Sequence, residues 1–357
     1  MKKNLFKSAF IALASILMLS TVMTSCDPKE LEPADTTTLE ALIDSCQTIA
    51  DNATLDDYPQ EAITAFNSVL TTAKAALDNK SITQTAVDNL IVQLRAARET
   101  FIASEYDVIL PSALMMGLSF EEGTGAQLTA AGKGWTAVLK KGPAEIFGTA
   151  TNFPSFVTGK VGKAMYFNNG SHLQISDYAA SDLMGSQLSI AMWVKPDSTR
   201  ENNYLASYNY WNSWKFQLQL QNKPFFTVHT NADGWVDADN QADFSAPNEV
   251  WTHLVVSLNL NTKILTFYVN GVNTMEWNAT TKEGLTGTGI FQFNKTLPLL
   301  IASGFTYEEG MASMGDEGWW KTVQSFPHFA GVMDEVKIYN IALTDGQVAK
   351  LYNEEKE

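Results

Sequence analysis

The chain is poor in the residues that most often do chemistry. Its 357 residues include only two cysteines and four histidines, and 24 Lys and Arg stand against 39 Asp and Glu. Cys26 and Cys46 cannot build a disulfide framework. His172, His229, His253 and His328 lie far apart in the chain. No His-Glu-x-x-His occurs, which argues against a zincin-type metalloprotease. Neither a Gly-x-Ser-x-Gly elbow nor a phosphate-cradling glycine loop is present. The formal net charge of −15 repels phosphate backbones, so nucleic acid is not an expected partner. No apolar run reaches the roughly 20 residues that a membrane-spanning helix needs.

The apolar run that does exist, Phe10 to Leu19, follows Lys2 and Lys3 and leads through small and polar residues to Met23-Thr-Ser-Cys26. This is the layout of a signal peptide over residues 1–25. The cysteine directly behind it resembles a bacterial lipobox, with Met23 where leucine is usual. The resemblance implies that Cys26 is acylated and becomes the new N-terminus. Several acyl chains, at ~0.8 kcal/mol per buried CH₂, hold a protein firmly on a membrane. The acidic stretch Asp27-Pro-Lys-Glu-Leu-Glu-Pro33 resembles the surface-export signal of Bacteroidetes lipoproteins. That implies an outer-membrane location, lipid-anchored and facing outward, with residues 26–36 as a linker.

Residues 37–105 carry three apolar stripes at helical spacing. The first is Leu39, Leu42, Ile43, Cys46 and Ile49, which predicts a buried free thiol at Cys46. The second is Ile63, Phe66, Leu70, Ala73 and Leu77, with Pro59 in its first turn. The third is Val87, Leu90, Leu94, Ala97 and Phe101, with Thr83 as N-cap. Stripes of this kind must bury one another, which predicts a three-helix bundle. Tyr58-Pro59 and Ile82-Thr-Gln-Thr-Ala-Val-Asp88 resemble the small helical modules of bacterial surface proteins called the FIVAR type. Such a module serves as a spacer or as a second binding unit.

Beyond residue 113 the period changes from 3.6 to 2. Ile190, Met192 and Val194 share one strand face; so do Leu254, Val256 and Leu258, and so do Leu265, Phe267 and Val269, ahead of a tight turn at Asn270-Gly271. Val332, Asp334, Val336 and Ile338 also fall in phase. Five segments in order resemble the laminin-G-like, concanavalin A-like jelly roll over residues 113–355. They are Gly117–Gly123, Gly159–Phe167, Ser189–Pro196, the pair Trp251–Ser257 and Thr266–Gly271, and Phe329–Asn340 with its continuation Ala342–Val348. The fold class expected is therefore mainly β, an antiparallel two-sheet sandwich behind an N-terminal three-helix bundle.

Sandwich glucanases of this architecture carry catalytic carboxylates on one strand as Glu-x-Asp-x-x-Glu. This chain has no such run. Its doublets Glu121-Glu122, Glu308-Glu309, Asp316-Glu317 and Asp334-Glu335 cannot act as strand pairs, because neighbours on a strand face opposite ways. The sequence is therefore read as non-enzymatic. In related jelly rolls a structural calcium often ties the first strand to the last, and here Glu121 or Glu122 with Asp334 would provide it. The other reading of Asp334 is that it accepts hydrogen bonds from the backbone of a neighbouring loop.

Aromatic rings stack on sugar faces, and asparagine both donates to and accepts from hydroxyls. Tyr208, Tyr210, Trp211 and Trp214 are interleaved with Asn209 and Asn212, and Trp235 begins a nearby hairpin arm. Trp319 and Trp320 lie in a second aromatic stretch, Phe305 to Phe326, longer than the link usual in the family. Either stretch could instead be loop packing onto the sandwich. The function expected is non-catalytic glycan capture at these rim loops. The chain resembles accessory surface lipoproteins of polysaccharide uptake, which implies an outer-membrane transporter and surface glycosidases as partners. The alternatives are an adhesin gripping a protein and a glycoside hydrolase of unrecognised type.

Overall fold

A computed structural model describes residues 33–55, 57–106, 108–232, 234–240, 245–282, 284–292, 296–316 and 318–356. The signal peptide, Cys26 and most of the acidic stretch behind it lie outside the described residues, as does Glu317 of one acidic doublet.

Helices α1 (Thr37–Asn52), α2 (Gln60–Leu77) and α3 (Gln84–Ile102) bury their stripes against one another. Phe66 and Phe101 stack with centroids 4.6 Å apart, and Tyr58 stacks on Phe101 at 4.2 Å. Cys46 is a buried free thiol within this core. The Thr83 hydroxyl caps α3 by accepting from the Ala86 N–H. Pro59 stands one place earlier than expected, as the N-cap of α2.

The remainder is a two-sheet antiparallel sandwich. In chain order it contains β1 (Leu114–Leu118), β2 (Gln127–Thr129), β3 (Ala131–Gly132), β4 (Thr136–Lys140), the short helix α4 (Ala144–Phe147), β5 (Ser155–Thr158), β6 (Lys163–Phe167) and β7 (His172–Ile175). There follow β8 (Gln187–Pro196), β9 (Asn203–Tyr208), β10 (Trp214–Gln219), β11 (Lys223–Thr230), β12 (Gly234–Asp239), β13 (Thr252–Asn259), β14 (Ile264–Val269) and β15 (Val272–Asn278). The chain closes with β16 (Leu299–Ile301), α5 (Tyr307–Met314), β17 (Gly331–Tyr339) and α6 (Asp345–Glu355). The first sheet runs β15-β14-β13-β8-β17-β1-β3, with β6 on β17 and β5 on β6; the second runs β12-β11-β10-β9-β16-β7-β4-β2.

The core lies between the sheets. Ile190, Met192 and Val194 meet Leu254, Val256, Leu258, Leu265 and Phe267 from the first sheet, and Phe216, Leu218, Phe226 and Leu299 from the second. One alternation breaks. A bulge between Asp334 and Lys337 puts Glu335 at φ 48° and shifts the register of β17 against β8. Met333, Val336 and Ile338 therefore join the core, while Asp334 pairs opposite Trp193, whose indole contacts α6 on the outer face. Asp334 does not share the face of Val336 and Ile338. The extra residue flips it outward.

Both outer faces are covered by helices from the C-terminal third. On the first sheet, α6 lays Val348 and Leu351 over Ala191, Val255 and Tyr268. His253 lies buried there, where desolvation pulls its pKa down to about 3. On the second sheet, the segment from Phe305 to Phe326 packs over part of the surface.

Candidate functional site

The outer face of the second sheet carries a row that is polar except at Leu300. Pairing places Asp237, Thr227, Lys215, Ser207, Leu300 and Gln174 side by side on successive strands from β12 to β7. A second bulge decides which aromatics join this face. Between β9 and β10, Gln217 pairs with Tyr204 and Phe216 with Ala206, so Leu205 is skipped. Tyr204 and Tyr208 are in phase by sequence, yet Tyr204 faces outward and Tyr208 enters the core.

Lys215 is 8 % exposed. Its Nζ donates to Gln217 Oε1 at 2.7 Å and lies 5.3, 5.0 and 5.3 Å from the ring centres of Tyr204, Tyr210 and Phe225. Desolvation pulls its pKa down to about 8. Tyr204 donates its hydroxyl proton to Tyr210 at 2.8 Å, and the two rings stack at 5.3 Å. Over this floor, Phe305 meets Tyr210 edge-on at 5.0 Å, and Trp320 meets Phe305 at 5.6 Å and Tyr307 at 5.5 Å. The two aromatic stretches of the sequence thus form one cluster. Arg200 clamps the overlying loop: Nη2 donates to the carbonyls of Val323 and Gln324 at 3.0 Å each, and Nη1 donates to Nε2 of buried His328.

Where the stretches meet, a groove of about 260 Å³ stays open. Asn209, Tyr210, Trp211 and Asn212 form one wall; Glu309 and Ser313 of α5 stand on the other. Asn209 and Tyr210 both adopt left-handed backbone, with φ of 57° and 55°. Asparagine tolerates this; tyrosine there is strained, and such strain persists only where the surroundings enforce it. The enforcing contacts are the Tyr210 N–H to Ser207 Oγ at 2.9 Å and the Asn209 amide donating to Gln292 Oε1. Glu309 closes the capping box of α5, its Oε2 accepting from the Thr306 N–H at 2.8 Å. Desolvation nonetheless pushes its pKa up to about 7.

Several expected site residues need correction. Tyr208 and Trp214 are fully buried core residues of the inner face, and Trp320 is fully buried beneath the loop among Phe305 and Phe326. None of the three offers a ring face to a ligand. Tyr210 is largely buried by Phe305 and contributes only part of the groove wall, whereas Trp211 is half-buried and lines it. Trp235 and Trp319 are 60 % and 55 % exposed, but neither belongs to the groove.

The expected calcium ligands serve another purpose. Asp334 Oδ2 accepts from the N–H groups of Lys160 and Val161 at 2.9 Å each, and Oδ1 from that of Glu335 at 2.8 Å. Glu121 Oε1 accepts from the Lys163 N–H at 2.8 Å. A Cβ on Gly159 would lie 2.5 Å from Asp334 Oδ2, and one on Gly162 would lie 2.4 Å from the Glu121 carboxylate. The two acids grip one turn from its two ends. Among the described residues no three metal-binding side chains converge. Calcium needs six to eight oxygens, and as placed this pair does not fit the ion. The backbone-accepting alternative describes Asp334. Burial pushes its pKa up to about 7 against the pull of the three amides.

Sequence reasoning missed Lys215, Arg200, Glu309 and α5 itself. One signal was legible, the Thr306-x-x-Glu309 capping box. The others depend on pairing register and have no local signature.

Residues 167–296 match the family described as the concanavalin A-like lectin/glucanases superfamily. No curated protein matches the chain. Among solved structures, it is similar to domain 4 of AbnA, an extracellular arabinanase from Geobacillus stearothermophilus, in complex with arabinotriose. The identity is 18 %, the match covers 67 % of this chain and 98 % of that one, and the TM-score is 0.47. It is also similar to the binding domain of Paraclostridial Mosquitocidal Protein 1, at 17 % identity over 69 % of this chain and 53 % of that one, TM-score 0.48. The binding domain of botulinum neurotoxin DC in complex with rat synaptotagmin II matches at 14 % identity over 70 % and 53 %, TM-score 0.43. Identities and scores this low carry no ligand across.

Proposed function

We propose that the chain is a carbohydrate-binding surface protein that holds a glycan in the groove between Asn209–Asn212 and α5, without cleaving it. One observation carries this reading. The half-buried Trp211 ring lines the same groove as the Asn209 and Asn212 amides and the Ser313 hydroxyl. An apolar plate among hydroxyl-binding groups is what a sugar needs. Glycoside hydrolysis ordinarily takes two carboxylates flanking the bond, and Glu309 is the one carboxylate among the described residues lining the groove. The lipid anchor at Cys26, the outward-facing outer-membrane location, the spacer role of the helices, and partnership with a transporter and surface glycosidases extend this reading on the sequence resemblance alone.

Glycan-array screening followed by titration of the purified chain tests the proposal. Trp211→Ala is expected to weaken the best glycan at least about tenfold, the loss of roughly 1.4 kcal/mol of stacking, with the unfolding midpoint nearly unchanged. Unaltered affinity in that variant sinks the groove as the site. Capture of a protein partner without any glycan hit would favour an adhesin, and turnover of a polysaccharide a hydrolase. Loss of metabolic fatty-acid labelling in Cys26→Ala checks the anchor.

A further inference from the structure

A second cavity, of about 340 Å³, opens on the same face of the second sheet, where the start of α5 meets β4, β7 and the α4 loop. It shares no wall residue with the groove. Its wall includes Lys140, Lys141, Glu145, His172, Gln174 and Glu308. None of these takes part in an ion pair among the described residues.

His172 is the informative member. It is only 6 % exposed, and its Nδ1 lies 2.9 Å from the Gly170 carbonyl oxygen. A carbonyl can only accept, so Nδ1 carries the proton and Nε2 presents a lone pair. Desolvation lowers the ring's pKa and keeps it neutral. Nε2 has no hydrogen-bond partner in the described structure. Buried acceptors are rarely left unpaired, because that forfeits the hydrogen bond they had in water. The cavity wall also holds two ammonium groups and two carboxylates, whose charges cancel, together with the Gln174 carboxamide. Balanced charge does not select an ion. It offers donors and acceptors in number to hydroxyl groups.

We infer that this cavity is a second ligand site, separate from the groove, which takes a neutral polyhydroxylated unit whose hydroxyl donates to His172 Nε2. The inference does not rest on the groove binding a glycan, because its evidence is the orphaned imidazole nitrogen and the balanced wall.

The test uses the full chain labelled with ¹⁵N-histidine, with the His172 resonances assigned by their loss in His172→Gln. Methyl α-glucoside and methyl β-galactoside serve as neutral probes, glucuronate and glucosamine as charged ones. The expected result is a saturable shift of His172 Nε2 with a neutral probe, in the direction of an accepted hydrogen bond, with the other histidines unmoved. Gln174→Leu, at a half-buried wall position, is expected to raise the saturation midpoint about tenfold. Trp211→Ala is expected to leave the response intact. No shift with either neutral probe, or a shift with the charged probes only, overturns the assignment. Loss of the response in Trp211→Ala overturns the separateness of the two sites, and an unchanged midpoint in Gln174→Leu overturns the proposed wall.

Discussion

Trp211 and Trp320 illustrate how differently two tryptophans of one aromatic cluster behave. Trp320 fills the space among Phe305, Tyr307 and Phe326 with no exposed surface. Trp320→Ala is therefore expected to cost about 3–5 kcal/mol of stability in urea unfolding, and any loss of binding it causes is indirect. Asp334 invites a test of another kind. Asparagine in its place has one acceptor oxygen for three amide hydrogens, which is expected to cost about 1–3 kcal/mol. The cost depends on pH. The carboxyl's pKa in the folded chain, about 7, lies above the ordinary 3.8, so the folded state holds a proton that the unfolded state releases. The stability this supplies is complete below about pH 4 and is lost as pH rises through 7, by at most about 1.4 kcal/mol per unit. The deficit of Asp334→Asn should be largest near pH 4 and shrink towards pH 8. A deficit that grows with pH would show that the three amides, not desolvation, govern this carboxyl.

Elements are held down by single residues that sequence inspection passes over. Arg200 secures the loop over the aromatic cluster through three acceptors, two of them backbone carbonyls. In Arg200→Ala, amide hydrogen exchange across Val323–His328 should speed up while the strands of the first sheet keep their protection. Unchanged protection there would mean that aromatic packing alone holds the loop. On the opposite face, α6 is pinned by Glu355. Its carboxylate accepts from Trp193 Nε1 at 2.9 Å and pairs with Lys337, which also meets Glu335 at 2.7 Å. Lys337→Met would leave two carboxylates facing each other in a buried site, and should cost about 3–5 kcal/mol. Both helices announce themselves locally by capping boxes, Thr306 with Glu309 and Thr344 with Gln347. What they cover is not local information.

Taken as a molecule, the chain joins a helical bundle to a sandwich through a few polar contacts. Lys350 of α6 pairs with Asp57 at 3.1 Å, Asn353 donates to the Tyr106 hydroxyl at 3.3 Å, and Gln347 donates to the Val108 carbonyl at 3.2 Å. A solvent-facing pair of this kind is worth about 0–1 kcal/mol. The bundle and the sandwich have separate apolar cores. Two calorimetric transitions are therefore expected, and Lys350→Ala should move neither midpoint appreciably. A single cooperative transition would show that the two parts fold as one.

Periodicity in the chain determined which stretches are helices and which are strands, because burying one face imposes a spacing of 3.6 or 2 residues wherever the element forms. Leu39 to Cys46, Ile190 to Val194 and Leu254 to Leu258 all lie where their phases put them. Tertiary structure decided what the phase cannot carry. A skipped Leu205 sends Tyr208 inward and leaves Tyr204 outside, and a bulge at Glu335 turns Asp334 away from the core. One inserted residue reverses every later side chain on a strand, and the partner strand, remote in the chain, determines whether the insertion occurs. The same holds for the tryptophans. Exposure is a property of what lies on top: Trp320 is buried among Phe305, Tyr307 and Phe326 of its own segment, and that segment, remote in the chain from Trp211, leaves part of Trp211 open.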